Sequence, residues 1–209
     1  MFNLIAHRGN NNHQYPENSL DAILSSLNEE YIKGVEFDVR LTKDKKVVVI
    51  HDFTINRTSN GHGIVKNMTL REIKKYKFGN KYQTYTILTL DQLLKKINSS
   101  KKIIIEIKNE LGDVKKIVDK VIKVIKKYRK LDIYLTGFSY KLTDYIKNNY
   151  PLYKVGAAPL IVTKSTKFND GYDAYFIKYN FFKNYKTDKL LFFWTINKPA
   201  FFNKKIFNK

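Results

Sequence analysis

A chain of 209 residues with 43% hydrophobic and 14% aromatic content is long enough to bury one sizeable core, in the size range of a single α/β domain. The formal charge of +20 suggests anionic partners, but nearly all of it is Lys, with Arg only at Arg8, Arg40, Arg57, Arg71 and Arg129. Arg is the residue suited to bidentate anion recognition, so a Lys- and Asn-rich codon bias explains the charge without a specific nucleic-acid partner. The field still attracts anionic substrates and leaves room for peripheral contact with an anionic membrane. Without cysteine, disulfide and thiolate chemistry are excluded, and no apolar run approaches a membrane span. Met1 to Ala6 is too short for a secretory core, so the chain as given is expected in the cytoplasm or as a mature form without its signal.

The chain opens with an apolar strand, Phe2 to Ala6. Leu20, Ile23, Leu24 and Leu27 then recur at helical spacing behind the capping signal Asn18-Ser19. Gly34 to Leu41 and Val47 to Ile50 are β-rich runs separated by five residues, too few for a crossover helix, and so predict an antiparallel hairpin. A polar, Gly-punctuated excursion follows, ending in a helix marked by Leu90, Leu93, Leu94 and Ile97. Lys102 to Ile107 is a continuous apolar strand. The helix after it carries Val114, Ile117, Val118, Val121, Ile122 and Ile125. Ile133 to Gly137 is the next strand and Leu142, Tyr145 and Ile146 mark the next helix. Short strands are predicted at Tyr153 to Ala157, Ala174 to Lys178 and Leu190 to Ile196, with an eighth candidate in Lys205 to Phe207. Repeated strand-helix units argue for a parallel sheet with helices outside it, and the strand spacing favours a (β/α)8 barrel over a doubly wound open sheet. Barrel chemistry sits at the C-terminal strand ends, where His7, Asp38, Glu106 and Trp194 all fall.

Two of these elements concentrate charge. With the hairpin turn centred on Asp44-Lys45, facing positions sum to about 89, which sets Asp38 opposite His51. Glu36 and Asp38 share one strand face, while Val35, Phe37 and Val39 turn the other way. Two inward carboxylates repel one another and lose solvation unless a cation or proton neutralises them. Glu106 and Lys108 repeat the pattern at the end of their strand. Three carboxylates without cysteine form an oxygen-donor set suited to one divalent cation, Mg2+ or Ca2+, leaving Lys108 and Arg8 to hold phosphate oxygens. His13 and His62 lie in polar loops and read as surface residues, whereas Glu17 and Asn18 read as supporting residues or a helix cap.

The ordered set His7-Arg8-Gly9, Pro16-Glu17-Asn18-Ser19, Glu36-Phe37-Asp38-Val39, Thr42-Lys43-Asp44, Val49-Ile50-His51-Asp52, Arg57-Thr58 with Gly61 and Gly63, Glu106-Ile107-Lys108 and Trp194-Thr195-Ile196-Asn197 resembles the glycerophosphodiester phosphodiesterases. The resemblance is dense up to Lys108 and thin afterwards. It implies a single TIM-barrel domain over 1–209, with a small insertion after the second-strand hairpin at about residues 53–88. It further implies a metal held by Glu36, Asp38 and Glu106, an acid/base pair in His7 and His51, phosphate contacts from Arg8 and Lys108, and Trp194 as an aromatic wall. Leu88 stands where the family usually has proline, and only Lys198 to Lys209 follow the Trp-Thr motif, which predicts an abbreviated C-terminal βα unit. A homodimer contact is one way to cover that gap.

The implied reaction is metal-dependent hydrolysis of a small glycerophosphodiester to glycerol 3-phosphate and an alcohol, with His51 as base and His7 as acid. Two alternatives share the motifs. One is cleavage of a larger diester, a lysophospholipid or glycerol-phosphate polymer, or a lyase reaction that stops at a cyclic phosphate. The other is a catalytically dead barrel that binds a phosphate ligand, against which the five intact residues His7, His51, Glu36, Asp38 and Glu106 argue.

Overall fold

The computed structural model describes residues 4–9, 14–109, 114–158, 171–178 and 189–195. The eighth-strand candidate and the shortened final unit lie outside them. The chain divides into two compact units, Met1–Tyr134 and Leu135–Lys209. Among the described residues no helix is long and apolar enough to cross a membrane.

In the first unit, strand β1 (Leu4–Ala6) runs parallel to β2 (Ile32–Leu41), which is joined on its other edge by parallel β6 (Lys102–Ile107). Helix α1 (Leu20–Asn28) starts where expected because Ser19 Oγ accepts the Ala22 N–H at 3.2 Å, satisfying one of the free donors of the first turn. Its face Ala22, Ile23 and Leu27 is buried, as are Val35, Phe37 and Val39 of β2 and Ile103, Ile105 and Ile107 of β6. Each of these side chains larger than alanine contributes about 1.5–3 kcal/mol on leaving water. Helix α4 (Val114–Ile125) buries all six residues of its predicted stripe.

The hairpin partner β3 (Val47–Val49) is antiparallel to β2, but Val39 faces Val49 and Leu41 faces Val47. Facing numbers therefore sum to 88. The turn closes on Thr42 and Lys46, with Lys46 N–H donating to Thr42 Oγ1 at 2.9 Å and Lys45 in the left-handed region at φ 62°. That places the turn's centre on Asp44, one half-step earlier than the sequence suggests. The predicted pairing of Asp38 with His51 is thus corrected to Asp38 beside Ile50, whose N–H donates to the Asp38 carbonyl at 3.0 Å.

Between β3 and α3 (Leu90–Leu94) the excursion has its own small core of Ile55, Val65, Ile73, Phe78 and Ile87, packed with Val48 and Ile50 of the hairpin. It contains α2 (Leu70–Ile73) and a two-residue antiparallel pair, β4 (Phe78–Gly79) with β5 (Thr84–Tyr85). Both α2 and α3 begin with reciprocal capping boxes, Thr69 with Glu72 and Thr89 with Gln92.

In the second unit the strands follow the order β7 (Asp132–Gly137, which begins in the first unit), β8 (Lys154–Ala157), β9 (Ala174–Lys178) and β10 (Leu190–Trp194). Strands β8, β9 and β10 are parallel. Helix α5 (Tyr140–Asn149) buries Leu142, Thr143 and Ile146. Gly156 is required by the packing, because a Cβ there would lie 2.3 Å from the Phe176 ring, which stacks on Phe192 with centroids 4.7 Å apart.

Candidate active site

The site begins as a gap in one edge of β2. β1 occupies that edge beside Ile32–Val35 and β3 resumes it at Val39, so Glu36 and Asp38 have no strand neighbour there. A buried backbone donor must still be satisfied. The Asp38 N–H donates to Asn18 Oδ1 at 3.2 Å, and Asn18 Nδ2 donates back to Asp38 Oδ2 at 3.1 Å. Asn18 thus orients Asp38 from the left-handed region at φ 58°, while its neighbour Ser19 is the helix cap.

His7, Arg8 and Gly9 fold into the same gap from the end of β1. Arg8 and Gly9 are both left-handed, at φ 55° and 67°, which costs about 1–2 kcal/mol for the non-glycine residue. The turn aims the Arg8 N–H at Glu36 Oε2, 2.9 Å away, and its carbonyl accepts the Asn18 N–H at 2.9 Å. Any side chain at Gly9 would force the α1 backbone to shift, since a Cβ would lie 2.6 Å from Ile23 Cγ1 and 2.8 Å from the Ile23 backbone nitrogen. His7 Nε2 is 3.8 Å from Glu36 Oε2.

Glu36, Asp38 and Glu106 then converge as the sequence predicts. Asp38 and Glu106 are register partners on adjacent parallel strands, and carboxylate oxygens of all three residues lie within 4.8 Å of one another. Asp38 is fully buried and Glu36 is 8% exposed. Burial first, then the charges of Asp38 and Glu106, push the Glu36 carboxyl well above its usual range. Burial likewise raises Glu106 against the opposing pull of Lys108. Lys108 Nζ contacts Glu106 Oε1 and lies 3.1 Å from Asp38 Oδ1. Glu36 Oε1 and Asp38 Oδ1 are nonetheless buried without a hydrogen bond. Clustered, desolvated oxygen donors with unused lone pairs fit a hard divalent cation, which would supply the charge they lack. The triad can hold a metal ion.

His51 reaches this region just beyond the end of β3, its carbonyl accepting from Arg40 Nε at 2.8 Å. Its Nδ1 lies 2.7 Å from Asp52 Oδ1. Hydrogen bonds from Arg57 keep Asp52 well below the usual carboxylate range, so Asp52 is ionised and Nδ1 must donate. That leaves Nε2 as the basic nitrogen. Burial lowers the His51 pKa, opposed by Asp38 and Asp52. His7 is lowered to about 4, burial being the larger cause and the Arg8 charge the second.

Asp52, Glu17 and Arg57 complete the site: Glu17 takes the supporting place its sequence position suggests, whereas no local signal marks an individual role for Asp52 or Arg57. Glu17 accepts from Arg8 Nη1 at 3.0 Å and from both terminal nitrogens of Arg57, at 2.8 and 2.7 Å. The proximity of Glu17 and Arg57 could not be read locally, because they are 40 positions apart. A cavity of about 350 Å3 adjoins this pair, bounded also by Tyr15, Asn80 and Tyr85. His62 is exposed, and His13 lies outside the described residues. Trp194 stands at the end of β10 in the second unit, edge-on to Phe138 with centroids 5.3 Å apart.

Comparison with known proteins extends the likeness to nearly the whole chain. The model of the glycerophosphoryl diester phosphodiesterase family matches residues 7–200. A glycerophosphodiester phosphodiesterase of Caldanaerobacter subterraneus subsp. tengcongensis is 40% identical over 160 residues, covering 73% of this chain and 65% of that one. One from Bacillus altitudinis is 36% identical, covering 62% of this chain and 54% of its own. The aligned segments thus span less than two thirds of these relatives' length. Among solved structures, an Oleispira antarctica phosphodiesterase in complex with its product sn-glycerol-3-phosphate superimposes with a TM-score of 0.81 at 24% identity, covering 96% of this chain and 87% of that one. A glycerophosphodiester phosphodiesterase from Parabacteroides distasonis gives 0.81 at 21%, covering 98% and 88%. These likenesses show the fold, the α/β TIM-barrel class that the strand-helix alternation predicts.

Proposed function

The chain belongs to the glycerophosphoryl diester phosphodiesterase family, and from that premise we propose that it is a metal-dependent hydrolase converting glycerophosphodiesters to glycerol 3-phosphate and an alcohol. One observation carries the reading: within residues 7–108, two histidines, an arginine and a lysine surround three carboxylates that lack a sufficient counter-charge. We take residues 1–209 as one catalytic domain, with about 53–88 as an insertion. The family match over 7–200 supports this.

Diester cleavage must neutralise charge at phosphorus, activate an oxygen nucleophile and protonate an alkoxide leaving group. Glu36, Asp38 and Glu106 would hold the cation, Mg2+ or Ca2+ by the hardness of the donors, and when bound it would supply charge neutralisation for the phosphodiester. Arg8 and Lys108 bind the phosphoryl oxygens, and Trp194 is proposed as an aromatic wall for the substrate. His51, its Nδ1 engaged by Asp52, takes the nucleophile's proton on Nε2. His7 gives a proton to the leaving oxygen. Its pKa is lowered to about 4 in the free protein, by burial first and the Arg8 charge second, but the negative charge of a phosphate diester bound beside it favours the imidazolium. The alkaline limb of the kcat profile is therefore expected at higher pH than that of kcat/KM.

The test is release of glycerol 3-phosphate from glycerophosphocholine with Mg2+ or Ca2+, beside a lysophospholipid and with any cyclic phosphate followed. Preferential, cation-dependent turnover of glycerophosphocholine to the open product is the expected result. Preference for the lysophospholipid or a terminal cyclic product would replace this reading by the larger-diester or lyase alternative. No turnover on any diester with either cation would leave a binding module.

A further inference from the structure

We propose that Arg57 is a positioning residue that fixes both flanks of the site at once, His51 through Asp52 and Arg8 through Glu17. The proposal rests on the reading that His51 and Arg8 serve phosphodiester cleavage. Arg57 Nε donates to Asp52 Oδ2 at 2.6 Å and Nη2 to Asp52 Oδ1 at 2.9 Å. Its other edge holds Glu17, Nη1 to Oε2 at 2.8 Å and Nη2 to Oε1 at 2.7 Å. Two parallel pairs of bonds from one planar group are the fork geometry that guanidinium provides and ammonium does not.

One oxygen of each carboxylate has a second partner that faces the chemistry. Asp52 Oδ1 engages His51 Nδ1, and Glu17 Oε1 accepts from Arg8 Nη1. The result is a continuous chain, His51–Asp52–Arg57–Glu17–Arg8, in which Arg57 is the central link. Arg8 Nε in turn lies 3.6 Å from Asp38 Oδ2, so the chain ends at the acidic triad. The excursion anchors the chain a second time, since the Tyr85 hydroxyl donates to the Glu17 carbonyl at 3.1 Å. This gives the polar segment after the hairpin a role, that of a brace reaching back onto two motifs.

Two bidentate pairs in one network give Arg57 some part in stability, but its side chain is 49% exposed and lies outside the buried cores, so the fold does not depend on it. The neighbouring cavity, about 350 Å3, leaves room for a different side chain. Substitution is therefore expected to spare the fold and alter the orientation of His51 and Arg8.

The experiment compares the full-length wild type with Arg57→Met, which keeps the stem, and Arg57→Lys, which keeps the charge without the fork. Three readouts are taken: kcat and KM on glycerophosphocholine with Mg2+ or Ca2+, the His51 ring tautomer by nitrogen NMR, and thermal unfolding. Both variants are expected to fold cooperatively, with at most a modest drop in unfolding temperature, and to lose about 10–100-fold in kcat, the usual range for partners that orient functional ligands. His51 should change from predominantly Nδ1-protonated to a mixture of tautomers. Arg57→Met combined with Asp52→Asn should lose no more than the worse single variant, because both act along one route. Unchanged kcat and unchanged tautomer in Arg57→Met would overturn the proposal, as would a rise in KM alone. If Arg57→Met fails to fold, Arg57→Lys decides by the same two readouts. If the wild type itself turns over no diester, the functional reading fails, and the tautomer alone decides whether Arg57 positions His51.

Discussion

The two flanks of the site solve opposite electrostatic problems. On the strand flank, Glu36, Asp38 and Glu106 are crowded on β2 and β6, with Glu36 and Glu106 held above their ordinary pKa by burial and with buried oxygens lacking hydrogen bonds. On the loop flank, Glu17 and Asp52 are each matched by a guanidinium, and Asp52 is held low. The strand flank is incomplete without a cation, whereas the loop flank is already complete. Rigid strands supply the geometry for binding charge, and loops supply the orientation of the groups that move protons.

The strongest way to break the comparison is to remove a donor from the strand flank. Asp38→Asn, or chelation of the wild type, should lower kcat/KM by about a thousandfold or more, since a metal stabilises the transition state by several kcal/mol. Readdition of Mg2+ or Ca2+ should restore the chelated wild type and leave Asp38→Asn inactive. Next comes the turn that brings Arg8 into the gap. Gly9→Ala meets both the left-handed φ of 67° and the Ile23 contact, so it should cost about 1–3 kcal/mol by denaturant unfolding and depress activity as well.

A subtler effect separates the flanks by pH. Glu36 and Glu106 bind protons more tightly in the folded than in the unfolded chain, so the metal-free protein should lose stability as pH rises above the ordinary carboxyl range. Asp52 behaves in the opposite sense: its folded pKa is lowered, so its contribution is present at neutral pH and lost only in acid. The lowered pKa values of His7 and His51 act against the loss from Glu36 and Glu106 between pH 5 and 8, so the test is the difference between variants: thermal unfolding of metal-free Glu36→Gln should gain on the wild type as pH rises from 5 to 8, and that of Asp52→Asn should not. Smallest of all is the ion pair of Lys127 with Asp91, whose side chains are 56% and 44% exposed. Lys127→Ala should change stability by at most about 1 kcal/mol and activity not at all.

The strand flank was the legible one. Alternation along β2 puts Glu36 and Asp38 on one face whatever the register, and Lys102 to Ile107 matches β6 residue for residue. The hairpin register was less secure, because one left-handed residue, Lys45, shifts the pairing and moves Ile50 to the place expected of His51. In the excursion, Ile55, Val65, Ile73, Phe78 and Ile87 are spaced irregularly, so their common core leaves no period to read. The two capping boxes there were the available local signals. Arg57 was visible as a motif residue, but its bridging of Glu17 and Asp52 depends on three loops meeting in space.

The most direct measurement follows glycerol 3-phosphate release from glycerophosphocholine by the purified chain, its His51→Ala variant and its His7→Ala variant, with a divalent cation present. The account predicts turnover by the wild type and a loss of about 10²–10⁴-fold in each variant, the usual contribution of a positioned acid or base. Near wild-type turnover in either variant would contradict it.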